Sequence, residues 1–125
     1  MKVAQSATEV IDAVQRFNEA FERRDFEKLE NTITEDCVFE DTDPRPDGKR
    51  YEGKKSVLSF FKEMAASSPN SRFEIEDTFT SGDRCVVLWN HHWTCGGNSG
   101  NNRGVDIFRI RAGKVGEKIS YTKNG

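Results

Sequence analysis

Asp106 is the residue whose surroundings point most directly to chemistry. It lies between Val105 and Ile107, and because side chains alternate along a strand it shares a face with Gly104 and Phe108. A carboxylate buried on such a face must be ion-paired, hydrogen-bonded or protonated. A carboxyl group that an apolar site keeps neutral can donate a hydrogen bond to an oxyanion that develops on a carbonyl compound. Asp106 is therefore a candidate catalytic residue, with a structural ion pair as the alternative.

Asp41 is the second candidate because of its place at the end of a strand. It ends a short predicted strand, residues 37–41, and precedes a loop, residues 42–48, that contains two prolines. A carboxylate at the mouth of a cavity can remove or relay a proton. It can equally cap the loop beside Thr42 and Asp43. The residue types leave both interpretations open.

Two adjacent histidines, His91 and His92, face opposite sides of a predicted strand. A cavity histidine near its ordinary pKa could shuttle protons. The alternative is a hydrogen-bonded polar side chain near the open end of the sheet. A metal site would need His91, His92 and Cys95 to converge on one face, so we predict no metal site.

Three predicted helices carry apolar stripes that must cover a sheet. The first, residues 7–23, opens with the capping-box pattern of Ser6 and Glu9. Asp25 can cap a second, short helix, and the third begins after Gly53. Each stripe repeats at the three- and four-residue spacing that places side chains on one helix face. The stripes are Val10, Val14, Phe17 and Phe21, then Phe26, Leu29 and Ile33, then Val57, Phe60, Phe61 and Met64.

Most of the chain after the third helix is predicted to form hairpin-connected strands. Asp77 interrupts an apolar row and predicts a bulge, and the polar stretch 96–102 predicts a flexible hairpin loop. The order α-α-β-α-β-β-β-β indicates an α+β fold, with three helices on one face of a curved antiparallel or mixed sheet. Strands are expected at 37–41, 73–79, 84–95 and 105–110, and a last one follows the turn 112–114 and runs to about residue 122.

The composition is typical of one small domain, which we expect to occupy residues 1–125. Hydrophobic residues make up 34% and charged residues 32%, and a net charge of −2 argues against a nucleic-acid partner. No apolar run is long enough to span a membrane, and no signal peptide is recognisable. Cys37, Cys85 and Cys95 match no disulfide framework, so free thiols and a cytoplasmic location are expected.

Three stretches of the chain carry a resemblance to a known family. They are residues 16–29, residues 39–41 followed by 51–54 and a helix, and residues 104–115. In these stretches and in element order the chain resembles the nuclear transport factor two-like superfamily, in its ketosteroid isomerase-like and SnoaL-like branch. The resemblance implies a cone in which helices lie across a curled sheet and a pocket opens between them.

The resemblance also implies roles for individual residues. Asp41 matches the base of the ketosteroid isomerases, and Asp106 matches their neutral acid. Phe17 stands where those isomerases have a tyrosine, and phenylalanine cannot donate a hydrogen bond. Loss of one oxyanion donor costs roughly 10²–10³ in rate. The substitution therefore argues against steroid isomerisation as such.

The SnoaL-like cyclases often use polar groups on the last strands. In the register that the resemblance implies, Lys118, Ser120 and Thr122 face the pocket. Lys118 could form an ion pair with Asp106, which would lower the pKa of that carboxyl instead of raising it.

The same register predicts which strand face meets the pocket. Asn90 and His92, together with Val86 and Leu88, are expected inward, where Asn90 or His92 would orient a substrate. The pocket wall is expected to include Phe17, Phe39, Phe60 and Phe108, and Tyr51 could reach it from its loop. An outward row is expected to form a large apolar patch that pairs two copies into a homodimer. That row is Val87, Trp89 and Trp93.

Three functions remain open at the level of sequence. The first is an isomerase, cyclase or lyase that acts without a cofactor, by acid–base chemistry, on a small apolar carbonyl compound. The second is a non-catalytic homodimeric module that binds a small apolar or amphipathic ligand. The third is a purely associative dimer with a collapsed pocket, which a cavity of about 300 Å³ or more would count against.

Overall fold

Within residues 5–123, which the computed structural model describes, three helices lie across one face of a six-stranded sheet. The strand order is β2-β1-β6-β5-β4-β3, with β1 parallel to β6 and every other neighbouring pair antiparallel. The predicted α+β class is therefore confirmed. The elements are α1 (Ala7–Glu22), α2 (Phe26–Glu30), β1 (Ile33–Glu40), β2 (Arg50–Glu52), α3 (Lys54–Ser67), β3 (Arg72–Ser81), β4 (Arg84–Cys95), β5 (Asn98–Arg111) and β6 (Lys114–Thr122).

The helix starts follow the local signals in the sequence. The Ser6 hydroxyl accepts a hydrogen bond from the Glu9 backbone N–H at 3.1 Å, and the Glu9 carboxylate accepts one from the Ser6 N–H. This capping box satisfies two N–H groups that α1 would otherwise leave unpaired. The Asp25 carboxylate caps α2 by accepting from the Lys28 N–H at 3.1 Å. Helix α1 buries one stripe against the sheet, consisting of Val10, Ala13, Val14, Phe17 and Ala20.

The start of the sheet differs from the prediction in two respects. Ile33 was expected on the stripe of the second helix, but it begins β1, because α2 ends after one turn at Glu30. A short strand that the prediction lacked, β2, pairs with the end of β1 and places Tyr51 opposite Phe39. The predicted bulge at Asp77 is confirmed, since the β3–β4 register shifts between Ile75 and Asp77.

The predicted hairpin loop over residues 96–102 is wrong. Strand β5 already begins at Asn98, so only Gly96 and Gly97 connect β4 to β5. Both glycines have positive φ, which a two-residue hairpin turn requires and which glycine adopts without strain. A seven-residue loop would place His92 opposite Asp106, whereas the two-residue turn places Val87 there.

This register reverses the predicted faces of β4. Directly opposed residues share a face, so Val87 lies on the same inner face as Asp106. Trp89 and Trp93 have the same parity as Val87, and their expected outward position is wrong. Val87 and Trp89 are buried beneath the helices. The expected inward position of Asn90 and His92 is wrong for the same reason, and the His92 Nε2 lies 3.1 Å from the Glu74 Oε1.

The outer face of the sheet carries two adjacent apolar rows. One row crosses four strands through Phe79, Val86, Ile107 and Ile119. The next row joins Leu88, Val105 and Tyr121. Phe79 is 52% exposed and Tyr121 57%. In the part of the chain that the structure describes, no helix is long and apolar enough to cross a membrane.

Candidate functional site

A cavity of about 880 Å³ lies between the inner face of the sheet and helices α1 and α3. Its volume is within the range of about 300–1,000 Å³ that small-molecule sites occupy, which counts against a collapsed pocket. The wall combines a group of aromatic rings with a larger number of polar and charged side chains. The aromatic part includes Phe17, Phe21, Phe39, Tyr51, Phe60, Phe73 and Trp89, and the polar part includes Asp41, His91, Asp106, Lys118 and Ser120.

Three polar side chains on β5 and β6 form one hydrogen-bonded group. The Ser120 hydroxyl donates to the Asp106 Oδ1 at 2.6 Å. The Lys118 Nζ lies 3.6 Å from the Asp106 Oδ2 and 3.5 Å from the Ser120 Oγ. The side chains of Asp106 and Lys118 are each 12% exposed. Cross-strand register creates the group, because Ser120 is directly opposite Asp106 and Lys118 lies two residues away on the same face.

The Lys118 ammonium also lies among three phenylalanine rings. Its Nζ is 4.3 Å from the ring centroid of Phe39, 5.8 Å from that of Phe61 and 5.9 Å from that of Phe17. The rings attract a cation through their negative faces, but they also exclude the water that would solvate it. Burial accordingly lowers the pKa of Lys118, while the negative charges of Asp106 and Asp41 oppose that shift.

Asp41 lies immediately after β1, on the cavity wall. Its Oδ1 accepts a hydrogen bond from the Thr42 backbone N–H at 2.8 Å, and its own N–H donates to the Lys49 carbonyl at 3.0 Å. Burial raises the pKa of Asp41, against the lowering effects of the Thr42 N–H and of the Lys118 charge. Asp41, Asp106, Lys118 and Ser120 together are the charged side of the cavity, contributed by β1, β5 and β6.

The opposite side of the cavity, contributed by β3 and β4, carries an imidazole. His91 stacks on Phe73 with ring centroids 4.4 Å apart and an interplanar angle of 14°, and Phe73 meets Trp89 edge-on at 5.1 Å. Burial lowers the pKa of His91, and the neighbouring His92 adds to that shift. Phe73, Trp89 and His91 are the imidazole side of the cavity.

Trp89 can occupy this position because of a glycine on the next strand. Gly104 lies directly opposite Trp89, and a Cβ atom there would fall 2.6 Å from the Trp89 Cη2. The Trp89 Nε1 is buried and has no hydrogen-bond partner within residues 5–123. A buried N–H without a partner is costly to the folded state.

A profile of the SnoaL-like domain matches residues 14–117. The chain belongs to the SnoaL-like family. The predicted resemblance is thereby confirmed. A comparison with curated proteins found no match for this SnoaL-like chain.

Solved structures support the same fold. A nuclear transport factor two-like protein of unknown function from Mesorhizobium loti is 33% identical, with 98% of each chain covered and a TM-score of 0.82. An epoxide hydrolase of Mycobacterium tuberculosis, described as LEH-like, is 18% identical, with 94% of this chain and 84% of that chain covered and a TM-score of 0.79. A protein described as a putative SnoaL-like polyketide cyclase, from Shewanella denitrificans, is 18% identical, with 91% and 90% covered and a TM-score of 0.79. The last two likenesses show the fold alone.

The structure brings most of the predicted site residues to one cavity. Three of them are not there. Phe108 is fully buried behind the wall, edge-on to Phe17 at 5.6 Å, so its predicted place on the wall is wrong. Asn90 and His92 are on the outer face, for the reason of register given above. The predicted residues that line the cavity are Phe17, Phe39, Asp41, Tyr51, Phe60, Asp106, Lys118, Ser120 and Thr122.

Sequence reasoning missed His91, Trp89 and Phe73 as cavity residues. The signal that could have placed the first two is the Gly96–Gly97 pair, because two glycines between strands favour a two-residue hairpin turn. That turn determines the register and hence the face of every residue on β4. Within the described residues no group of three His, Cys, Asp or Glu side chains could hold a metal ion.

Proposed function

We propose that this SnoaL-like protein is an enzyme that acts without a cofactor, by acid–base chemistry, on a small carbonyl compound. Asp41 removes a proton from the carbon next to the carbonyl, and the positive charge of Lys118 stabilises the enolate oxygen that develops. The observation that carries the proposal is that Asp41 and Lys118 line one cavity and shift each other's pKa. A base and a cation placed this way favour the charged transition state over the neutral substrate.

Asp106 has a different role here from the neutral acid that the family resemblance implies. Its two carboxylate oxygens face the Ser120 hydroxyl and the Lys118 ammonium, so both are occupied. Asp106 and Ser120 then lie beside the Lys118 amine, and Lys118 replaces the hydrogen-bond donor that Phe17 lacks. The phenylalanine rings of the wall suit the apolar part of a substrate, and the polar side chains between them suit its carbonyl group.

The test is deuterium uptake by a panel of small enolisable ketones and lactones incubated with the protein in heavy water. The wild-type protein should accelerate exchange of the α-proton of at least one panel member. Asp41→Asn should reduce that rate by about 10²–10⁴-fold, which is the usual contribution of a general base. Asp47→Asn, an exposed position on the same loop, is the matched control and should exchange at the wild-type rate. Equal rates for wild type and Asp41→Asn would contradict the proposal.

A second candidate is a binding module that keeps the cavity without the chemistry. It is favoured by Phe17, which supplies no hydroxyl, and by the engagement of Lys118 with Asp106. Molecules extracted from the purified protein distinguish the two candidates. A ligand that is recovered unchanged after long incubation favours binding alone, and its turnover favours the enzyme.

We also propose that two copies associate through the outer face of the sheet. The surface is the pair of apolar rows described above, centred on Ile107, rather than the predicted row of Val87, Trp89 and Trp93, whose side chains lie on the inner face. Contiguous apolar patches of this kind are uncommon on monomers. A cytoplasmic location remains a prediction.

Molar mass in solution tests the association. Light scattering coupled to gel filtration should give twice the chain mass for the wild-type protein and the chain mass for Ile107→Lys. Thr94→Lys, at an exposed position of β4 outside the two rows, is the control and should remain a dimer. A wild-type protein that elutes at the mass of one chain would contradict the proposal.

A further inference from the structure

We propose that Lys118 is a nucleophile that forms a reversible imine with an apolar aldehyde bound in the cavity. This inference rests on the proposed function, because it assumes that the cavity admits a carbonyl compound. It adds a covalent step, and it narrows the carbonyl class to aldehydes, whose carbonyl carbon is less hindered than that of a ketone. The proposal stands on the position of the amine within the cavity.

The first observation is that Lys118 presents a primary amine to the cavity without being locked in a tight ion pair. The Lys118 Nζ lies 3.6 Å from the Asp106 Oδ2 and 3.5 Å from the Ser120 Oγ. Both distances exceed the 2.7–2.9 Å or so of a strong charge-assisted hydrogen bond. The amine therefore remains free to turn toward a carbonyl carbon in the cavity.

The second observation is the availability of the neutral amine. An amine attacks a carbonyl only through its unshared electron pair, so a protonated lysine is inert. The attacking species is the neutral amine, which is in equilibrium with the ammonium that stabilises the enolate in the proposed function. Burial among Phe17, Phe39 and Phe61 lowers the pKa of Lys118. Each unit of such lowering raises the neutral fraction about tenfold at a given pH below the pKa.

The third observation is that the surroundings of Lys118 suit the product as well as the amine. A protonated imine carries a positive charge at the former Nζ position. The Asp106 carboxylate and the Phe39 ring centroid, 4.3 Å away, stabilise that charge as they do the ammonium. The same groups that hold Lys118 therefore hold the adduct.

Imine formation is an addition of the amine to the aldehyde carbonyl, followed by loss of water. The Lys118 electron pair forms a bond to the carbonyl carbon, the carbonyl π pair moves to oxygen, and one amine proton is transferred to that oxygen to give a carbinolamine. The hydroxyl then leaves with a further proton as water, while the nitrogen electron pair forms the C=N bond. Asp41, whose pKa burial raises, is the cavity carboxyl that passes this proton.

The experiment is reductive trapping with benzaldehyde and cyanoborohydride at neutral pH, followed by peptide mapping with mass spectrometry. Cyanoborohydride donates a hydride to the imine carbon and leaves a benzyl group on the amine. Lys54 is an internal comparison in the same sample, since its side chain is 14% exposed but paired with Glu35 at 3.1 Å, outside the cavity. We expect roughly tenfold or more label on Lys118 than on Lys54, because only Lys118 holds its amine beside an aldehyde bound in the cavity.

Two variants complete the test. Lys118→Arg should lose the cavity label, and Lys54→Arg should keep it. The comparison within the wild-type protein does not depend on whether Lys118→Arg folds. Equal labelling of Lys118 and Lys54, or label confined to exposed lysines, would overturn the imine.

The deuterium-exchange assay separates failure of the imine from failure of the proposed function. Exchange that depends on Asp41, with no label on Lys118, overturns the imine and leaves the proposed acid–base function intact. Label on Lys118 with no exchange of any ketone supports the imine and contradicts enolisation by Asp41.

Discussion

The charged side and the imidazole side of the cavity differ in how their polar groups are held. On the charged side, Asp106 accepts from Ser120 and lies beside Lys118, so each polar group has a polar neighbour. On the imidazole side, His91 stacks on Phe73, and the Trp89 Nε1 has no partner within the described residues. The charged side therefore carries paired charges, and the imidazole side presents aromatic rings to the cavity.

Because of this difference, the two sides suit different parts of a substrate. Burial works against the charged form on both sides, raising the pKa of Asp41 and lowering the pKa values of Lys118 and His91. Only the charged side offsets that cost with groups of opposite charge. It is accordingly the side suited to a developing oxyanion, while the imidazole side suits the neutral body of the substrate.

The largest expected effect comes from removing the carboxylate of the charged side. Asp106→Ala leaves Lys118 and Ser120 without their partner, and breaking a buried pair in this way costs about 3–5 kcal/mol. Urea unfolding should show a loss of about 3 kcal/mol in the free energy of unfolding. Asp83→Ala is the control, because its 3.7 Å pair with Arg109 is half-exposed and worth about 0–1 kcal/mol. Equal losses for the two variants would mean that the charged side is solvated.

A smaller effect is expected when the imidazole side is crowded. Gly104→Ala places a Cβ atom 2.6 Å from the Trp89 Cη2 and closer still to the Tyr121 carbonyl oxygen, so the ring or the strands must move. Such overpacking costs about 1–3 kcal/mol, measured by the same urea unfolding. Ser99→Ala, on an exposed part of β5, is the control and should change little. A Gly104→Ala variant as stable as the wild type would show that neither the Trp89 ring nor the Tyr121 backbone is packed tightly against this position.

The smallest effect concerns His91 and pH. Its pKa in the folded protein is lowered from 6.5, so between that lowered value and 6.5 the unfolded chain binds more protons. The free energy of unfolding therefore rises with pH through this window and falls again on acidification. When the pH is lowered from 8 to 5, the thermal unfolding midpoint of His91→Phe should fall by less than that of the wild-type protein.

The matched control for His91 is its neighbour on the opposite face. On acidification, His92→Gln should still lose most of the stability that the wild-type protein loses, because His91 remains buried against Phe73. If His91→Phe and the wild type lose the same stability on acidification, His91 is solvated and the description of the imidazole side fails.

The charged side could be predicted from the sequence because its residues are visible exceptions to a pattern. Asp106 is a charged residue on the strand face that it shares with the apolar Phe108, and Lys118 and Ser120 share a parity on the last strand. The family resemblance added a role for Asp41 as the base. What sequence could not show is which groups meet, because the 2.6 Å contact of Ser120 with Asp106 depends on the cross-strand register.

The imidazole side could not be predicted, for two physical reasons. Strand β4 has apolar residues on both faces, with Val86 and Leu88 on one and Val87 and Trp89 on the other, so hydrophobic alternation does not identify the inner face. The first residues of β5 are polar and read as a loop, although they extend the hairpin. The face of β4 therefore depended on the turn alone, and a shift of one residue exchanges its two faces.

The central claim is that a cavity wall, not bulk water, surrounds the Asp41 carboxyl group. Carbon-detected NMR titration of the Asp41 carboxyl in the unliganded protein measures this directly. The account predicts that the pKa of Asp41 is above the ordinary 3.8. The pKa should rise further in Lys118→Met, because the Lys118 charge lowers the pKa of Asp41 in the wild-type protein. A pKa at or below 3.8 would place Asp41 in solvent and contradict the acid–base function proposed for the cavity.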